Sequence, residues 1–110
     1  MALPEPFRSD VWDVRFGKPV GEHPAVVLSV NLLNTRLSTV VVAVITGTEG
    51  PTGTHVRLDA DAGLTRYSES WVNVTDLHSV PRSRFRRYRG RLASVELDRV
   101  SEQVRIYLGL

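Results

Sequence analysis

STVVVAVIT, residues 38 to 46, decides the fold. The run is β-branched almost throughout, which stiffens the side chains against a helix and suits a pleated strand. No polar residue interrupts it between Val40 and Ile45, the pattern of a strand buried on both faces. AVVLSV, residues 25 to 30, repeats that character, and NLLN between the two reads as a single helical turn.

Outward from this pair the pattern stays β. In VWDVRF, residues 11 to 16, Trp12, Val14 and Phe16 alternate with Asp13 and Arg15, so one face of that strand is apolar. GKPVGEHP is punctuated by Gly17, Pro19, Gly21 and Pro24 and reads as a loop that carries Glu22 and His23. Beyond the loop TEGPTG, THVRL alternates with Val56 and Leu58 inward and His55 and Arg57 outward. DADAG is a turn, and SWVNVTDLHSV a strand with Val72 and Val74 opposite Trp71, Asn73 and Thr75. The end changes period. Ser94 reads as an N-cap, Glu96 and Asp98 fall in the first turn, and Leu97, Val100, Val104 and Leu108 recur at helical spacing. Five or six short strands followed by one amphipathic helix predict a mainly β, α+β domain: a small, strongly curved β-barrel with a C-terminal α-helix, in one unit over residues 1–110.

Composition narrows the chemistry. With no cysteine the chain has neither disulfides nor thiolate chemistry, and three scattered histidines do not make a metal site. No apolar run reaches the ~20 residues of a membrane span, and MALPEPFRSD lacks a leader's apolar stretch, so the expectation is a soluble, cytoplasmic protein. The net charge of +2 conceals one stripe: RSRFRRYRGR, residues 82 to 91, holds six arginines and no acid. Such a stripe suits bidentate recognition of phosphate or of a partner's carboxylates. Phe85 and Tyr88 within it suggest a stacking platform for unpaired bases. The plainer reading is a solvated edge that aids solubility.

RSDVWDVRF, HPAVVLSVNLLN, STVVVAVITGT, GTHVRL, DLHSVPRSRF and GRL before a helix, taken in that order, resemble the MazF/PemK/Kid toxins from about Arg8 to Leu110. The resemblance implies an SH3-like barrel of the CcdB/MazF kind, a homodimer, and the toxin half of a type II toxin–antitoxin system. It implies cleavage of single-stranded RNA without metal or other cofactor, the 2′-OH attacking the adjacent phosphate to leave a 2′,3′-cyclic phosphate and a 5′-OH. It also implies a cognate MazE-like antitoxin that covers the RNA groove.

Residue by residue, the resemblance aligns Thr46 with a phosphate-contacting Thr and His23 with a catalytic Arg, and sets Glu22, as an assisting catalytic acid, in a loop where some members use an acid as base. His78 and Ser79 fall on an Arg-Thr pair of the family, while Asn73 and Thr75 fall on an Arg and an Asp, with Asp76 one place off. Asn31, Gly47, Thr48, Arg82, Arg84 and Arg87 join the implied RNA footprint. His therefore stands at two of these three family arginines, at positions 23 and 78. Unperturbed imidazole ionises near pH 6.5, so it can act as base or as acid near neutrality, and activity becomes more pH-dependent. Read without the family, His23 is a turn residue before Pro24, Thr46 a strand-end hydroxyl, and His55 a surface residue. Two other functions share the barrel: a CcdB-like gyrase binder without enzymatic activity, and an attenuated relative that binds antitoxin only.

Overall fold

Alternation and β-branching resolve into six antiparallel strands and two helices in a computed structural model that describes residues 3–59 and 69–110. The strands are β1 (Asp10–Arg15), β2 (Glu22–Val27), β3 (Thr39–Thr46), β4 (His55–Leu58), β5 (Ser70–Pro81) and β6 (Phe85–Arg91). The helices are α1 (Asn31–Asn34), between β2 and β3, and α2 (Ser94–Leu108) at the end. The expected DADAG turn lies outside the described residues from position 60 onward.

The strands form one sheet in the order β4-β5-β3-β2-β1-β6. Among the described residues no ladder joins β4 to β6. The sheet is nevertheless strongly curled. β1 and β5 are separated by β2 and β3, about 14 Å across a flat sheet. Yet the ring centroids of Phe16, just after β1, and His78, on β5, are 4.7 Å apart.

Both faces of the central strands are buried, which accounts for the unbroken apolar run. Val11, Val26, Ala43, Ile45, Val72 and Val74 pack with Val100 of α2 on one face. Val14, Ala25, Val27, Val40, Val42, Val80 and Phe85 pack on the other, flanked by Trp12 and Phe16. Each valine wholly removed from water contributes about 1.5–3 kcal/mol before chain entropy is counted. Val41 is the exposed exception in its strand.

A bulge in β5 lets that strand serve both faces. Ala43 pairs with Leu77 and Ile45 with Val72, so Asn73 through Asp76 stand opposite Val44 alone. The Asn73 carboxamide oxygen accepts from the Thr75 N–H at 3.0 Å and from its hydroxyl at 2.7 Å, which holds the bulge.

Three sequence expectations change. Glu22 and His23 belong to β2 rather than to a loop, because they pair with Arg15 and Val14. Pro24 is tolerated there since the β2–β3 ladder begins only at Ala25, where a backbone N–H is again available. Ser94 is the first helical residue, not the cap. Ala93 stands at the N-cap, and the Glu96 carboxylate reaches back to accept its N–H at 3.0 Å. Leu108 is 51% exposed, because the last turn of α2 runs past the sheet that covers Val100 and Val104. No helix among the described residues is long and apolar enough to cross a membrane.

Candidate functional site

Strand alternation sorts the candidate residues by face. His23 pairs with Val14 and lies two residues from Ala25, so it shares their face. Thr46 lies on that face too, two and four residues beyond Val44 and Val42. Continued by two residues, the β2–β3 register sets His23 opposite Thr46. His78 pairs with Val42 and joins them. Three strands thus bring His23, Thr46 and His78 to one side of the sheet, opposite α2.

Phe16 links two of the three. Its N–H donates to the Gly21 carbonyl at 2.9 Å, making it a diagonal neighbour of His23, while its ring lies against His78. The tight connection behind it needs Gly17 and Gly21, both at positive φ (83° and 74°). His78 is also fixed from its own strand, since its Nε2 lies 2.6 Å from Asp76 Oδ1. Beside it opens a cleft of about 190 Å³, lined by Arg15, Phe16, His78, Ser79 and Arg84 among others. His23 has a buried Nδ1 with no hydrogen-bond partner among the described residues.

The other candidates distribute unevenly. Glu22 is exposed and alternates with His23, so it points to the opposite face of β2. Gly47 and Thr48 follow Thr46 directly, and the Thr48 N–H donates to the Thr46 hydroxyl at 3.3 Å. Ser79 pairs with Val41 and alternates away from His78. Asn31 stands at the opposite end of the β2–β3 pair, where its side chain accepts the Arg8 N–H at 2.7 Å.

The arginine stripe divides. Arg82 and Arg84 sit in a 3-10 turn and Arg87 is exposed on β6, but Arg89 pairs with Asp13 at 3.1 Å and Arg91 with Asp10 at 3.1 Å. Phe85 is 3% exposed and sits edge-on to Trp12, so it belongs to the core and not to a stacking platform; Tyr88, 52% exposed, remains available.

Sequence reading passed over Arg15, Phe16 and the pairing of Asp76 with His78. The i, i+2 spacing of Asp76 and His78 on one strand was the available signal for the last. Trp71 was also passed over. It pairs with both Thr46 and Arg57, placing a half-buried indole in the same row as the Thr46 hydroxyl. His55 is held by Thr54, whose hydroxyl lies 2.6 Å from its Nδ1, and lines a separate cleft of about 470 Å³ against α2.

Comparison with known proteins places these observations. The family described as PemK-like, MazF-like toxin of type II toxin-antitoxin system matches residues 7–108. Among solved structures, an endoribonuclease from a mycobacterial species superposes with a TM-score of 0.84 at 20% identity, covering 100% of this chain and 97% of that one. A mycobacterial endoribonuclease in complex with its cognate antitoxin gives 0.85 at 23% identity, covering 96% of each chain. A MazE–MazF structure from Deinococcus radiodurans gives 0.79 at 21% identity, covering 100% of this chain and 99% of that one. At these identities the likeness carries the fold. Comparison with curated protein sequences finds no match.

Proposed function

The chain belongs to the PemK-like, MazF-like toxins of type II toxin–antitoxin systems, and from that premise we propose that it is a metal-independent endoribonuclease acting on single-stranded RNA in the cytoplasm. The 2′-OH of the nucleotide before the scissile bond attacks phosphorus, the bond to O5′ breaks, and the products are a 2′,3′-cyclic phosphate and a 5′-OH. Such a reaction needs a proton acceptor, a proton donor and hydrogen-bond donors for the phosphorane oxygens. His23 and Thr46 form the centre, the imidazole moving a proton and the hydroxyl donating to a phosphate oxygen.

Glu22, exposed on the opposite face of β2 from His23, stands apart from this centre. Gly47 and Thr48 approach the phosphate beside Thr46. His78 faces the RNA beside this centre, Ser79, Arg82, Arg84 and Arg87 track the flanking backbone, and Asn31 contacts RNA beyond the opposite end of the β2–β3 pair. The observation that supports this reading best is the placement of two histidines and a threonine from three strands on one face of the sheet. A core that only needed filling has no use for three polar groups there.

The toxin acts as a homodimer with a MazE-like antitoxin as its partner. Exposed Leu32, Leu33, Ile106, Leu108 and Leu110 supply apolar surface for those contacts. The test is incubation of single-stranded RNA of varied sequence with the protein in EDTA, followed by mapping of new 5′-OH ends. Cleavage that is lost in Thr46→Ala supports both reaction and site. Intact RNA with wild-type protein removes the nuclease reading and leaves a binding toxin. Equal cleavage by Thr46→Ala leaves the reaction and removes the site.

A further inference from the structure

We propose that His78 and Asp76 form a dyad in which His78 is the general base of RNA cleavage and Asp76 is the positioning residue that holds its imidazole. The inference rests on the endoribonuclease reading above and deepens it by assigning the two proton transfers. Three observations carry it. Asp76 Oδ1 and His78 Nε2 are 2.6 Å apart, which commits that nitrogen and leaves Nδ1 to exchange a proton with RNA. The Phe16 ring, 4.7 Å from the imidazole, fixes its plane from another strand. Arg15 and Arg84 are among the residues that line the cleft beside His78, and guanidinium is the side-chain group best suited to a phosphate.

The geometry of β5 explains why a carboxylate is there. Asp76 closes the four-residue bulge opposite Val44, and His78 stands two residues on, where the ladder has resumed. A bulge re-aims side chains at the place where it ends. Asp76 on its own strand touches the imidazole, and the charged residues from other elements that line the same cleft are Arg15 from β1 and Arg84 from the 3-10 turn. The two arginines favour a bound phosphate, and the carboxylate stabilises the imidazolium formed when His78 takes a proton.

The reaction then balances. Nδ1 of His78 removes the proton of the 2′-OH, and the resulting oxygen forms the new bond to phosphorus. The P–O5′ bond breaks, and the leaving oxygen takes a proton from the His23 imidazolium. After release, proton exchange with solvent returns His78 to its neutral form and His23 to its charged form. His23 pairs with Val14 and so stands diagonal to Phe16, the residue whose ring lies against His78; in this assignment the reacting phosphate lies between the two imidazoles.

Single-turnover cleavage of an RNA carrying either a normal or a 5′-thio leaving group tests this assignment. A thiolate departs without a proton, so loss of the general acid is suppressed on the thio substrate and loss of the base is not. The expected result is that His78→Ala slows cleavage by ~100-fold or more on both substrates and that added imidazole restores it. His23→Ala is slow on the normal RNA and recovers on the thio RNA. Asp76→Asn slows cleavage ~10-fold or more, Asp76→Glu recovers part of the rate, and both bind an RNA with a 2′-deoxy nucleotide at the cleavage position as wild type does.

Wild-type cleavage with His78→Ala or Asp76→Asn within threefold of it overturns the dyad and leaves the endoribonuclease reading standing. Thio rescue of His78→Ala in place of His23→Ala overturns the assignment of base and acid. A wild-type protein inert on every RNA removes the endoribonuclease reading, and the dyad with it. Should Asp76→Asn fail to fold, Asp76→Glu and the imidazole response of His78→Ala decide the matter.

Discussion

Replacing Glu96 by alanine tests how the C-terminal helix is anchored. Its side chain is 2% exposed, with one oxygen accepting the Ala93 N–H at 3.0 Å and the other accepting the Asp59 N–H at 2.6 Å. The first bond caps α2 and the second ties the helix to the end of β4. Both N–H groups are part-buried on exposed residues, so each orphaned donor costs about 1 kcal/mol, the low end of the usual range. Lost packing of the methylenes adds up to about 1 kcal/mol. Glu96→Ala is therefore expected to cost about 2–3 kcal/mol. With an unfolding entropy near 2.1 cal/mol/K per residue, a chain of 110 residues should lose about 9–13 °C in Tm. Ser94→Ala should stay within about 0.5 kcal/mol, because Ser94 lies inside the helix. Ala93→Ser should gain about 0.5–1 kcal/mol by supplying an oxygen to the N3 amide. Thermal melts followed by circular dichroism rank the three variants. A Ser94→Ala loss larger than that of Glu96→Ala would refute the reasoning and return the cap to residue 94.

Asp10→Ala should destabilise the fold by about 2–3 kcal/mol, because the buried carboxylate receives the Phe7 N–H, the Trp12 indole and the Arg91 guanidinium, of which the Arg91 group is free to find water instead; the urea midpoint reads it. Phe85→Ala should cost about 3–5 kcal/mol in the same assay, whereas Tyr88→Ala stays within about 1 kcal/mol and, as a stacking residue, weakens RNA binding by about 1–3 kcal/mol. Each of Arg84→Ala and Arg87→Ala should lower the slope of log affinity against log salt by about 0.7 for single-stranded RNA, and unchanged slopes would take both residues out of the phosphate contacts.

Local pattern settled a good part of the protein by itself. The β-branched run from Thr39 to Thr46, the alternation in VWDVRF and THVRL, and the helical spacing of Leu97, Val100 and Val104 each report which side of an element avoids water, and each element formed. Strand periodicity is a property of the chain within a few residues, so it can be read without knowing the partner. The absence of cysteine and the clustering of arginines after Pro81 are likewise facts of the sequence alone. So was the ordered likeness that pointed to the family.

Tertiary structure decided which of those residues meet. Phe85 and Tyr88 look alike within the arginine stripe, but pairing of β6 with β1 sets both edge-on to Trp12 while burying only the first and leaving the other exposed. Arg89 and Arg91 find Asp13 and Asp10, more than 70 residues earlier, by the same pairing. Glu22 and His23 are neighbours in sequence, yet a strand places them on opposite faces, so only His23 turns toward Thr46 and His78. The contact of Phe16 with His78 depends on the curl of the whole sheet, which no local pattern encodes. Periodicity fixes the side of a strand on which a residue stands. Which side chains meet across that surface depends on register and curvature, and these are settled only when distant segments compete for the same core.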